Sequence, residues 1–184
     1  MTVNVREDEI VDKLYGSSKD WVSVEVELDK QLDPSTLFHI TESQAGDRFY
    51  LRLNDNQSSY FGYHAIRKFE NDFENKQSIF KEWETLKKDI ELIHPDCEKH
   101  HLRLCGGFQF SKHKSDDEWR AYGLNHFVLP EVLISTENNR TFITYTTEKK
   151  TFEMDTFKSL VNDLEQANVD MEDDHLGNVT RMED

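Results

Sequence analysis

The feature that most constrains the fold is residues 102–135, LRLCGGFQFSKHKSDDEWRAYGLNHFVLPEVLIS. It holds two apolar, strand-like runs joined by a charged connector. Gly106-Gly107 sits inside the first run and Pro130 inside the second. Glycine within a strand marks a bulge or a close backbone approach, and proline removes a ladder donor. A chain with this unit must place two specialised strands side by side or across a layer.

The rest supplies strands and helices to receive it. Trp21 to Leu28 alternates, with Val22, Val24, Val26 and Leu28 on one side and Ser23, Glu25 and Glu27 on the other. That pattern predicts a half-buried strand. Strands are also predicted over 38–40, 48–53, 59–69 and 141–147. Asp33-Pro34-Ser35 suits the start of a short helical turn. Gly62 again suggests a bulge or close approach, and Asn138-Asn139 is a hairpin turn signal. Helices are predicted over 4–15, capped by Asn4, over 75–93 and over 154–167. In the second, Ile79, Trp83, Leu86, Ile90 and Ile93 recur at spacings of four and three. The expectation is an α+β fold with antiparallel sheet and helices packed on one face. Residues 1–168 form the folded region, and 169–184 read as an acidic linker or tail.

Composition excludes several function classes. A formal net charge of −15 would repel nucleic acid phosphate and anionic membrane surfaces, so neither is an expected partner. No apolar run reaches the ~18 residues of a membrane span, and the N-terminus lacks the apolar core of a signal peptide. The expected location is the cytoplasm, where Cys97 and Cys105 would stay reduced.

No active site emerges from spacing. Eight histidines are present, but His39, His64, His94, His113, His126 and His175 fall at no ligand spacing. His100 and His101 are adjacent and would face opposite sides of a strand. They read as scattered surface or loop residues. Asp116, Asp117 and Glu118 read as a helix-capping run, Lys112-His113-Lys114 as a solvated loop, and Trp119, Phe127 and Leu129 as core. Gly106-Gly107 is no phosphate loop, because no helix follows at once.

The order Gly106-Gly107-Phe108-Gln109-Phe110, then Trp119, then Phe127-Val128-Leu129-Pro130 resembles the N-terminal region of the isochorismate synthases. These are chorismate-utilising enzymes related to anthranilate and aminodeoxychorismate synthases. Gly46-Asp47-Arg48-Phe49-Tyr50 and Gly62 are similar to upstream family positions. The resemblance runs from about Trp21 to Ala167. It implies the N-terminal part of the family's α/β sandwich, serving Mg²⁺-dependent conversion of chorismate to isochorismate. The pathway served would be menaquinone biosynthesis or else that of a catecholate siderophore. In the family, a Lys that activates water, a Glu acid and the Mg²⁺ carboxylates lie in a C-terminal chorismate-binding region. That region is the implied partner of this chain, and chorismate the implied substrate of the whole enzyme. No residue here matches those groups, so no catalytic, cofactor-binding or metal residue is carried over, and the chain alone is expected to be inactive. Ile40-Thr41-Glu42-Ser43 departs from the Leu-Leu-Glu-Ser feedback motif of anthranilate synthases. The alternatives are an acidic, non-catalytic interaction module, or part of another chorismate enzyme such as anthranilate synthase.

Overall fold

The computed structural model describes residues 6–40, 46–53, 58–70, 76–95, 97–108 and 125–166. In chain order the elements are α1 (Glu7–Gly16), β1 (Trp21–Leu28), α2 (Pro34–Ile40), β2 (Arg48–Arg52), β3 (Ser58–Glu70) and α3 (Lys76–Lys88). They continue with β4 (Ile90–Ile93), β5 (Cys105–Phe108), β6 (Asn125–Glu137), β7 (Arg140–Glu148), a 3₁₀ turn at Lys149–Thr151 and α4 (Met154–Gln166). The strands form one sheet in the order β2-β3-β6-β7-β1-β4, with β5 pairing with β6.

The valine alternation of β1 explains the main core. Val22, Val24, Val26 and Leu28 lie against Ile143 and Tyr145 of β7, Val132 and Ile134 of β6, and Phe61 of β3. Ile10 of α1, Leu37 of α2, and Phe157 and Val161 of α4 cap the same cluster. Burying each such side chain stabilises by about 1.5–3 kcal/mol. A second cluster joins Ile79, Trp83 and Leu86 of α3 to Phe69, Ile90 and Leu129. Among the described residues, no helix is long and apolar enough to cross a membrane.

The α+β class holds, with three corrections of detail. First, the sheet is mixed, because β4 pairs parallel with β1, Trp21 opposite Ile90 and Val24 opposite Ile93. Second, the helix predicted over 75–93 ends at Lys88. Ile90 and Ile93 fit a helical spacing equally well, but the open edge of β1 offers backbone partners. Trp21 N–H donates to the Asp89 carbonyl at 3.2 Å, and the chain turns straight into strand. Third, the strand predicted at 38–40 is the end of α2. Asp33 caps that helix, accepting from the backbone N–H of Ser35 at 3.1 Å and of Thr36 at 3.3 Å. With Pro34 at its first position, the cap overrides a short apolar run.

The glycine and turn signals have physical counterparts. Asn138 and Asn139 both take positive φ, 51° and 64°, which a two-residue hairpin between right-twisted strands requires. Gly62 lies under the Phe49 ring, and a Cβ there would sit 2.1 Å from Phe49 Cε1. At Gly106 φ is +155°, and a Cβ would fall 2.0 Å from the His126 carbonyl oxygen. Gly107 has open space around it. Of the pair, only Gly106 permits the close backbone approach.

Candidate functional site

The other side of β1 is not solvated. Ser23 and Glu25 are both 0% exposed, contrary to the expectation that they face water. Residues 97–104, a stretch without regular structure, cross this side of the sheet and cover it. Beneath them the sheet presents hydroxyls: Ser23 Oγ lies 2.7 Å from Thr146 Oγ1, and Thr144 and Ser135 are buried nearby in register.

Glu25 organises this layer. Its carboxylate accepts the His101 backbone N–H at 2.8 Å, His101 Nδ1–H at 2.7 Å and the Thr144 hydroxyl at 2.5 Å. Burial pushes the carboxyl up. The His101 bond, the nearby His100 and the Thr144 bond outweigh it and hold the group below its ordinary value of 4.5. His100 donates through Nε2 to the Ser23 carbonyl at 3.1 Å and accepts the Leu102 N–H at Nδ1, also at 3.1 Å. That pairing fits only the neutral Nε2–H tautomer. Burial lowers the pKa of His100, with Glu25 pulling the other way.

The His101 ring stacks on Phe142 at 4.4 Å. Its Nε2 has no hydrogen-bond partner among the described residues and stands 3.7 Å from Glu137 Oε2, too far for a hydrogen bond. Glu137 sits at the rim. It accepts from the Tyr60 hydroxyl at 3.0 Å and from Lys99 Nζ at 2.5 Å, while the Arg103 guanidinium lies 3.8 Å over the Tyr60 ring. Burial raises the Glu137 carboxyl, but the Lys99 and Tyr60 bonds hold it low. Lys99 is 64% exposed, so Lys99→Ala is expected to cost under about 1 kcal/mol in a urea titration.

This arrangement fixes charge and position; it does not offer a nucleophile. Burial pushes the Cys105 thiol up to about 12, which leaves it protonated at neutral pH. Nor does it suit Mg²⁺, which prefers oxygen ligands with retained waters. Glu25 is saturated by donors, Glu137 is held by Lys99 and Tyr60, and the neighbouring groups are imidazoles. No group of three His, Cys, Asp or Glu side chains that would hold a metal occurs among the described residues.

The other residues singled out from sequence do not converge here. His64 pairs with Glu131 at 3.3 Å and His126 with Glu70 at 3.0 Å, both near the surface. Leu129 is fully buried and Phe127 partly so, in the α3 cluster. Asn4, Thr41 to Ser43, Lys112 to Lys114, Asp116 to Trp119, His175 and the acidic tail lie outside the described residues. The reading of His100 and His101 as scattered surface or loop residues holds for the loop, since both lie in the irregular stretch, but not for the surface: both side chains are buried and both approach Glu25. The sequence signal available was weak: Ser23 and Glu25 on one strand, Thr144 and Thr146 on its partner, a polar stripe identical in appearance to a solvent-facing side.

The two strands carrying the sequence motifs are paired. Cys105 to Phe108 lie antiparallel to Asn125 to Val128, with Gly106 opposite Phe127. A family model described as chorismate binding enzyme matches residues 9–182. The chain belongs to that family. Among solved structures, this chorismate-binding-family chain is similar to the menaquinone-specific isochorismate synthase MenF from Escherichia coli. The match has 11% identity and a TM-score of 0.48, and covers 89% of this chain and 33% of that one. The chain thus spans about a third of that protein's length. No curated protein sequence matches it.

Proposed function

We propose that this chain is the N-terminal portion of an isochorismate synthase, which converts chorismate to isochorismate with Mg²⁺ for menaquinone biosynthesis. The observation that carries the reading is the family match over residues 9–182. The motif strands that resemble the isochorismate synthases are a paired unit, consistent with it. In this reading the chain supplies scaffold. Water activation, protonation of the departing hydroxyl and the Mg²⁺ carboxylates belong to a C-terminal chorismate-binding region, and Glu25 and its partners brace the sheet.

Turnover tests this. The gene product containing this chain and the region following it is incubated with chorismate and Mg²⁺, and products are separated by chromatography. Isochorismate is expected. Anthranilate formed in the presence of ammonia would overturn the assignment. The 184-residue chain alone is expected to form neither, and turnover by it would overturn the placement of the chemistry.

A further inference from the structure

Residues 97–104 cover a part of the sheet that is mostly polar, with the Phe142 ring under His101 as its apolar exception. What lies beneath them is largely Ser23, Glu25, Thr144 and Thr146, groups that water would satisfy as well as protein does. Of the segment's own apolar side chains, Cys97 is buried, while Leu102 and Leu104 are partly buried against the α3 cluster. Beside this packing, the segment is held to the sheet by hydrogen bonds of Glu25 and His100, and those bonds depend on protonation. A second proton on His100 would fall on Nδ1, the atom that accepts the Leu102 N–H. A proton on Glu25 would remove an acceptor from His101 or Thr144.

We propose that residues 97–104 form a strap that acid releases from the sheet, pinned at neutral pH by the bonds of Glu25 with His101 and of His100 with Leu102. The inference is independent of the reaction assigned to the family.

The surroundings set which groups respond. Facing the cluster are Glu27 of β1, paired with Arg140 of β7, Glu137 of β6 and Tyr60 of β3. His94 lies beyond the end of β4, its ring 5.6 Å from that of His100. Lys99 and Arg103 come from the strap itself. Lysine, arginine and tyrosine keep their protonation state over the physiological acid range, which leaves histidines and carboxylates. His100 has a lowered pKa, so the closed strap binds fewer protons than the open one. Closure is undiminished above the ordinary histidine value of 6.5 and weakens as pH falls below it. Glu25, lowered from 4.5, adds a further loss below that value.

Hydrogen exchange on the purified chain tests the strap directly. The His101 and Leu102 amides are themselves the donors to Glu25 and His100. After correction for intrinsic rates, their protection is expected to fall about tenfold or more between roughly pH 7.5 and 5. Amides of Val24, Val26 and Ile143 in the core strands should hold theirs. In Glu25→Gln the two strap amides are expected to exchange freely already at neutral pH, with no further step on acidification. Loss of protection in parallel with the core strands, or none by pH 5, in the unaltered chain would overturn the strap. So would a full acid step persisting in Glu25→Gln. If that variant does not fold, the comparison of strap and core amides in the unaltered chain decides.

Discussion

Gly106→Ala is expected to destabilise the chain severely, while Gly107→Ala next to it changes stability by no more than about 0.5 kcal/mol. At Gly106 two penalties coincide. The backbone φ of +155° disfavours any side chain, at a cost of about 1–3 kcal/mol. The added Cβ would also meet backbone atoms of β6, at 2.0 Å from the His126 carbonyl oxygen and 2.6 Å from Phe127 Cα. Backbone in a paired strand cannot rotate away as a side-chain tip can, so β5 would have to separate from β6. Overpacking of this kind adds about 1–3 kcal/mol. Gly107 meets nothing within 4 Å. Urea unfolding of both variants checks the contrast; equal effects would show that β5 tolerates displacement.

Glu25→Ala is expected to cost about 3–5 kcal/mol, because several buried donors lose their common acceptor and each unsatisfied group costs about 1–3 kcal/mol. The substitution leaves the His101 backbone N–H, His101 Nδ1–H and the Thr144 hydroxyl without their acceptor, and Glu25 is fully buried. For a domain of this size the fall in Tm is on the order of 10 °C. Combining it with His101→Ala should show coupling, because once His101 is gone much of the penalty has already been incurred. A double variant whose loss equals the sum of the singles would mean that the two side chains stabilise independently.

The contrast between these two residues shows what was legible in the sequence. The motif strands, the valine side of β1, the Asn138-Asn139 turn and α4 were all readable, because each follows from a local rule: period two, a required backbone angle, or a helical stripe. The Gly106-Gly107 pair is legible as a close approach for the same reason, though only the structure shows that Gly106 alone makes it. Residues 38–40 and 90–93 were misread, because short apolar runs carry no period that separates helix from strand. There the Asp33 cap and the free edge of β1 decided. Glu25 was invisible as a site. On an alternating strand it looks solvated, and its partner His101 lies 76 positions away in sequence. Their meeting depends on the path of residues 97–104 across the sheet, which no local pattern encodes.

The strand order has a consequence for how the molecule is made. β1 leaves the ribosome early, yet its antiparallel neighbour is β7, with Trp21 opposite Glu148. Its parallel neighbour β4 emerges sooner, and β2 and β3 pair with each other on the far side of the sheet. The nascent chain therefore carries two separate fragments of sheet until β6 and β7 are synthesised and join them. Pairing across such separations is slow, and unpaired strand edges in the interval invite wrong partners. For this chain, the hairpin at Asn138-Asn139 is the step that converts two fragments into one sheet, and translation must pass it before the fold can close.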